Sequence, residues 1–285
     1  MFFKNSVNFI SKRLYHPRLY GKNVFITGAS SGIGEACAKE FAKEGSNLVR
    51  KTLICICKIL AARRAERLDA LKLELSQQHK DIKIHTISLD VRKKKNIDDA
   101  INNLLLKSNI DVLVNNAGLV IGIDYLADVS EDVFDTMFET NVKGLVFLTQ
   151  AILPGMKANQ KGHIINIGSV AGKQSYPGGS IYCGTKHAVD AITKALIYEL
   201  VDTPIRVSQI NPGLVNTEFS TVRFHGDKEK ADNVYKGLKP LVGQDIAELV
   251  TFTASRPDHV NICDMLVFPT SQADAKTVHR STEDK

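Results

Sequence analysis

Tyr182 and Lys186 stand four positions apart in Tyr182-Cys-Gly-Thr-Lys186, and Ser169 precedes the tyrosine by thirteen positions. On a helix, residues at i and i+4 share a face, so the ammonium lies beside the phenol. A free tyrosine titrates at about 10 and is a poor base at neutral pH. The charge of Lys186, together with an oxidised nicotinamide, is expected to lower that value. Tyr182 then serves as acid in a reduction and as base in an oxidation, and the Ser169 hydroxyl can hold the oxygen concerned. Proton movement of this kind needs a hydride carrier, and Thr27-Gly-Ala-Ser-Ser-Gly-Ile-Gly34 offers a seat for one. Gly28, Gly32 and Gly34 let backbone approach a pyrophosphate. The amides of a following helix attract phosphate oxygens. Ser30 and Ser31 add hydroxyl donors, and Ile33 completes the loop. These residue types point to nicotinamide-dependent chemistry at a carbonyl or an alcohol.

Such residues must be carried by strands and helices in a fixed order. Val24–Thr27 reads as a first strand and Gly32–Glu44 as a helix ending at Gly45. Lys83–Leu89, Val112–Val114, His163–Ile167 and Ile205–Ile210 read as strands, while Asn96–Leu106, Asp132–Leu153 and Tyr182–Leu200 read as helices. Strands alternating with helices argue for a parallel α/β sheet covered on both faces. The second strand is either Leu53–Cys57 or Ile59–Ala62, because the stretch from Gly45 to Arg63 is too long for one turn and one strand. Val49–Cys57 therefore reads as an insertion, genuine or translated from an intron, with a longer bulged strand as the alternative.

The predicted strand ends carry further candidates. Arg63-Arg64 follow the second strand, where a carboxylate would bind a free ribose 2′-hydroxyl and arginine accommodates a 2′-phosphate. NADP is thus favoured over NAD. Asp90, after the third strand, can accept from an adenine amino group. Asn115-Asn116-Ala117-Gly118 place an amide and a glycine at the carboxyl edge, where ligands of open α/β sheets bind. Asn141 is polar on an otherwise apolar helical segment, and a water held there could relay a proton to Lys186.

Bulk properties set the bounds. The chain of 285 residues has the length of one large α/β domain. Its net charge of +6 comes largely from Lys4, Lys12, Arg13, Arg18 and Lys22, ahead of the first acid, Glu35. The body is nearly neutral, which gives no electrostatic case for nucleic acid. No apolar run is long enough to span a bilayer. The acid-free, basic segment at 1–21 fits a mitochondrial transit peptide, with a disordered extension on a cytoplasmic protein as the alternative. Five cysteines without a CxxC pair and eight histidines without an HExxH spacing predict neither a disulfide framework nor a metal site.

Thr27-Gly-x-x-x-Gly-x-Gly34, Asn115-Asn-Ala-Gly118, Asn141, Ser169, Tyr182-x-x-x-Lys186 and Asn211-Pro-Gly213 resemble, in order and spacing, the short-chain dehydrogenase/reductase family. The resemblance covers about 22–270, leaving 271–285 as a polar tail. It implies a Rossmann-type doubly wound sheet of about seven parallel strands in a single domain. It also implies a homodimer or homotetramer assembled partly through two long central helices. Ser169, Tyr182, Lys186 and Asn141 would be catalytic. Pro212, Gly213, Val215 and Thr217 would contact the cofactor, as would Asn116, Ala117, Gly118, Tyr182 and Lys186. Leu60-Ala-Ala-Arg-Arg64, Ser180-Ile-Tyr-Cys183, Pro212-Gly-Leu-Val-Asn-Thr-Glu-Phe219 and Arg223-Phe-His-Gly-Asp227 narrow the likeness to NADP-dependent 3-hydroxy acid dehydrogenases. That group oxidises serine, allo-threonine and related acids, and some members reduce malonic semialdehyde to 3-hydroxypropionate. A 3-hydroxy acid carries a carboxylate, for which Lys173 and Arg223 are the candidate receptors. A reductase of another ketone, aldehyde or diketone stays open, because fold and motif do not fix the substrate. A non-catalytic NADP-binding sensor is the alternative from another class, although it would have no need of Tyr182.

Overall fold

The computed structural model describes residues 17–46, 56–104 and 110–281. In chain order the elements are β1 (Val24–Thr27), α1 (Gly32–Ser46), β2 (Ile56–Ala62), α2 (Ala65–Gln78), β3 (Ile82–Ser88), α3 (Lys94–Asn102) and β4 (Val112–Asn115). There follow α4 (Glu131–Phe138), α5 (Gly144–Ala158), β5 (Gly162–Ile167), α6 (Ser180–Glu199), β6 (Ile205–Pro212), β7 (Val215–Asn216) and α7 (Glu218–Arg223). The chain continues with α8 (Lys228–Asn233), β8 (Leu241–Val242), α9 (Gly243–Ala254) and β9 (Asp264–Val267). Seven strands make one sheet in the order β3-β2-β1-β4-β5-β6-β9, and β7 pairs only with β8. Every neighbouring pair in the large sheet is parallel.

Successive residues of a strand point to opposite faces. Val24, Ile26 and Leu60 accordingly pack with Phe41 of α1, Leu68 and Leu75 of α2, and Ile246 of α9. Phe25, Ile59 and Leu113 pack with Ile97 of α3, Leu148 and Ile152 of α5, and Leu196 of α6. A sheet covered on both sides needs strands apolar on both faces. All four residues of β1 and all six of β5 are buried. This is the doubly wound α/β architecture that strand–helix alternation predicts.

Two expectations change in detail. Of the two candidates for the second strand, the later is adopted, with Ile59 opposite Phe25 and Leu60 opposite Ile26. Ile56 and Cys57, counted with the insertion on sequence grounds, pair with Ile82 and Lys83 as the first residues of β2. The rest of the expected insertion, 49–55, lies outside the described residues, as do positions 1–16 of the N-terminal extension. The single helix expected over Asp132–Leu153 is broken into α4 and α5 by a π-helical turn at Glu139–Lys143. Gly144 opens α5 where a Cβ would come within 2.8 Å of the Val91 side chain. The residue after the break is thus packed tightly against the loop after β3.

The sheet reverses its strand order between β1 and β4, and the two ends are fastened there. Thr27 Oγ1 accepts from the amides of Asn116 and Ala117, each at 3.0 Å, and donates to the Val114 carbonyl at 3.3 Å. The Asn116 side chain returns a bond from Nδ2 to the Thr27 carbonyl at 2.9 Å. Replacing Thr27 by valine keeps the shape and removes the acceptor from two amides. Each stranded donor costs about 1–3 kcal/mol. Chemical denaturation of Thr27→Val should therefore show a clear fall in midpoint, whereas an unchanged midpoint would mean that these bonds contribute nothing net.

Candidate active site

A cavity of about 800 Å³ lies along the carboxyl ends of the strands, the crevice that open α/β sheets offer to ligands. Its walls take in Gly28, Ser30, Ser31, Gly32 and Ile33 after β1. Arg63 and Arg64 after β2, Asp90 after β3, and Asn116, Ala117 and Gly118 after β4 continue the lining. Ser169, Tyr182 and Lys186 line it further along, with Pro212, Gly213, Val215 and Thr217 after β6. Residues predicted from six separate segments are brought to one edge.

The glycines divide the work among them. Gly28 and Gly32 have φ of 65° and 57°, a region costly for residues with a Cβ. Gly34 does not line the cavity. A Cβ there would stand 2.3 Å from the Gly28 carbonyl oxygen and 2.5 Å from Asn116 Nδ2. It is a packing glycine that lets α1 start tight against the loop, so the cofactor contact expected of it is corrected to a positioning role. Arg64 braces the same loop, donating to Ser30 Oγ from Nε at 3.2 Å and to Ser31 Oγ from Nη2 at 2.7 Å. Its Nη1 donates to Glu218 Oε2 at 2.8 Å. Asp90 is gripped by Arg92, with Nε to Oδ1 at 3.0 Å and Nη2 to Oδ2 at 2.7 Å. That hydrogen bonding holds its carboxyl below the usual carboxylate range.

Tyr182 and Lys186 lie in the first turns of α6 and are 7% and 6% exposed. The Lys186 ammonium donates to the Ile167 carbonyl at 2.9 Å and sits 5.9 Å from the centre of the Tyr182 ring. Burial lowers its pKa to about 8. For Tyr182 the balance differs from the sequence expectation. Burial pushes the phenol up, and the influences acting the other way come from the Ser169 hydroxyl and the Arg223 charge. The protein by itself therefore keeps Tyr182 protonated, the form that serves as an acid. Ser169 lies two residues beyond β5 and caps the turn Val170–Gly172, its Oγ accepting from the Ala171 amide at 3.1 Å. Its own amide donates to Asn211 Oδ1 at 3.2 Å.

Asn141 sits in the π turn, 2% exposed, and does not line the cavity. Its Oδ1 accepts from the Leu119 amide at 2.8 Å. Its Nδ2 donates to the Leu119 carbonyl at 2.8 Å and to Thr185 Oγ1 at 3.1 Å. The side chain thus braces the loop after β4 against α6, rather than presenting an amide to a water in the cavity.

Of the two carboxylate receptors named from sequence, only Arg223 faces the cavity. Its Nε donates to the Gly122 carbonyl at 3.2 Å, and its guanidinium lies 5.9 Å from the Tyr176 ring centre. Lys173 is corrected. The turn Val170–Gly172 carries it away from the cavity, and its ammonium pairs with Asp190 at 2.5 Å and with Asp264. Sequence nearness to Ser169 was misleading here. A further cation reaches the cavity from the tail. Lys276 lines it with Nζ 5.1 Å from the centre of the same Tyr176 ring that Arg223 approaches. The tail is tied down by the Leu214 amide donating to Gln272 Oε1 at 2.8 Å and by Arg280 Nη2 donating to the Val234 carbonyl at 3.0 Å. Nothing in the hydropathy of 271–281 marks it as part of a site, because polar contacts hold it.

Residues 22–228 match the short chain dehydrogenase family. The chain is 47% identical over 264 residues to the NADP-dependent 3-hydroxy acid dehydrogenase of Schizosaccharomyces pombe, covering 92% of this chain and 98% of that one. It is 41% identical over 252 residues to sulfoacetaldehyde reductase 2 of Chromohalobacter salexigens, covering 88% and 95%. Among solved structures, the closed form of serine dehydrogenase complexed with NADP+ superposes with a TM-score of 0.81 at 40% identity, covering 91% of this chain and all of that one. With the glycine loop, Ser169, Tyr182 and Lys186 gathered on one cavity, this chain belongs to the short-chain dehydrogenase/reductase family.

Proposed function

We propose that the protein is an NADP-dependent oxidoreductase of small 3-hydroxy acids, acting between the C3 alcohol and the corresponding carbonyl. The observation that carries this reading is the pairing, in one cavity, of Ser169, Tyr182 and Lys186 with two cations, Arg223 and Lys276, flanking Tyr176. The first set handles an alcohol oxygen. The second suits an anion a short distance along the same molecule. Relatives named for 3-hydroxy acids and for serine support the substrate class.

The cofactor fits the chain's own chemistry. The positive-φ glycines and the start of α1 form a cradle for a pyrophosphate, and Arg63 and Arg64 suit a 2′-phosphate. NADP, when bound, supplies or accepts the hydride. The protein's part is to orient and to move a proton. Ser169 holds the substrate oxygen, Tyr182 gives or takes its proton, and Lys186 keeps a positive charge next to the phenol below a pH of about 8. Arg223 and Lys276 fix the carboxylate, which limits the substrate to one orientation.

A second reading has an observation of its own. Sulfoacetaldehyde, for which one relative is named, carries a sulfonate beside an aldehyde, and the same pair of cations would accept that anion. Relative kcat/KM for 3-hydroxy acids and for sulfoacetaldehyde separates the two.

Turnover is measured by nicotinamide absorbance, with L-serine, L-allo-threonine and 3-hydroxypropionate offered in the presence of NADP+. Tyr182→Phe is expected to lower kcat by on the order of 10²–10⁴-fold while NADPH still binds; activity near wild type would remove Tyr182 from the proton path. Arg223→Ala and Lys276→Ala should each raise KM for L-serine about tenfold, the loss of one charge-assisted hydrogen bond. A neutral alcohol should be little affected. Equal effects on the acid and the alcohol would take the carboxylate away from these residues.

A further inference from the structure

Glu218 holds two arginines at once. Its Oε2 accepts from Arg64 Nη1 at 2.8 Å and its Oε1 from Arg67 Nη1 at 2.5 Å. Arg64 is the residue whose remaining nitrogens grip Ser30 and Ser31 on the glycine loop. Arg64 and Glu218 both line the cavity, so the carboxylate stands on the guanidinium that suits the ribose 2′-phosphate. Glu218 is also the first residue of α7, whose last residue is Arg223 at the substrate end. The residue after it, Phe219, meets the Tyr182 ring edge-on at 5.7 Å. One short helix thus has its start on Arg64 and its end at Arg223, both on the cavity wall.

A guanidinium fork takes a carboxylate or a phosphate by the same donors. Two anions on one fork repel each other. Arg64, Arg67 and Glu218 are each about half exposed, with side-chain exposures of 42%, 49% and 44%. Exposed ion pairs are weak, whereas a phosphate dianion brings more charge and more acceptor oxygens. The carboxylate is the group that yields.

Resting on the NADP reading above, we infer that Glu218 competes with the cofactor's 2′-phosphate for Arg64, and that its displacement frees the start of α7. Glu218 is therefore a specificity-determining residue in two senses. It sets how strongly the 2′-phosphate is preferred, and it reports that phosphate to the helix carrying Arg223. A cofactor lacking the phosphate leaves Glu218 on its arginines and the helix anchored.

The probes are 2′,5′-ADP and 5′-AMP, titrated calorimetrically into the full-length protein and its Glu218→Gln variant. The variant keeps the shape and removes the charge. It should bind 2′,5′-ADP about three- to tenfold more tightly, with 5′-AMP unchanged. Weaker binding of 2′,5′-ADP would overturn the inference, since Glu218 would then be holding the arginines in place for the phosphate. An equal shift for both probes, or none, would overturn it as well. In wild type, hydrogen exchange across 218–223 should speed up with 2′,5′-ADP and not with 5′-AMP; the same response to both would remove the link to α7. Failure of wild type to prefer 2′,5′-ADP over 5′-AMP would instead bring down the NADP reading, and this inference with it.

Discussion

A buried ammonium must be answered by fixed partners or surrender its proton. Around Lys186 that requirement organises the centre of the molecule. Its bond to the Ile167 carbonyl joins α6 to the last residue of β5. Tyr182, one helical turn earlier, is thereby held over the strand end that presents Ser169. Gly172 lies so close to the Lys186 carbonyl oxygen that a Cβ would approach within 2.6 Å. The turn after Ser169 can rest flat on α6 for that reason. Thr185, the neighbour of Lys186, receives the Asn141 amide and so brings the π turn into register with the same helix. The positions of Tyr182 and Lys186 thus depend on a network that includes buried residues off the cavity wall, such as Asn141 and Thr185.

The second organising element is charge, placed at both ends of the cavity. Arginines after β2 mark one end, and Arg223 with Lys276 mark the other. Apolar and backbone surface from Ile33, Ala117, Val170 and Phe219 contributes to the walls as well. An elongated ligand with anionic groups near each end matches that distribution. Behind the wall, Lys173, Asp190, Asp264, Gln209 and Asn211 form a connected polar cluster. It meets the cavity wall at Ser169, whose amide donates to Asn211 Oδ1. The cluster serves to hold Ser169 still.

Legibility in the sequence followed physical cause closely. Strand ends marked by Thr27, Asn115 and Ser169 were readable because parallel strands are continuous apolar runs and their carboxyl ends carry polar residues. The helix from Ser180 was readable from the spacing of Tyr182 and Lys186. Other features depend on contacts that spacing cannot encode. The break at Glu139–Lys143 is followed at once by Gly144, packed tightly on Val91, a contact between segments far apart in the chain. Lys173 and Lys276 exchange the roles that chain position assigns, because a three-residue turn redirects the first and a polar tail delivers the second. The upward shift of the Tyr182 phenol comes from burial, a property of the packed site rather than of the pair. Asn141 lies beside α6, with its amide side chain taken up by Leu119 and Thr185, contacts that its place in the sequence does not encode.

The strand order has a consequence for assembly. β3, β2 and β1 come from the first third of the chain, and β4, β5, β6 and β9 from the rest, so the sheet consists of two separately connected halves joined at one seam. That seam registers Val24 with Val112, Phe25 with Leu113 and Ile26 with Val114, across a long sequence gap. Non-local pairings of this kind form late, because loop closure comes before any reward. Until they form, each half exposes an apolar strand edge to any other chain nearby. Joining the halves removes both edges and completes the floor of the cavity in the same event. A nascent chain therefore gains its binding crevice at the moment it stops being vulnerable to aggregation.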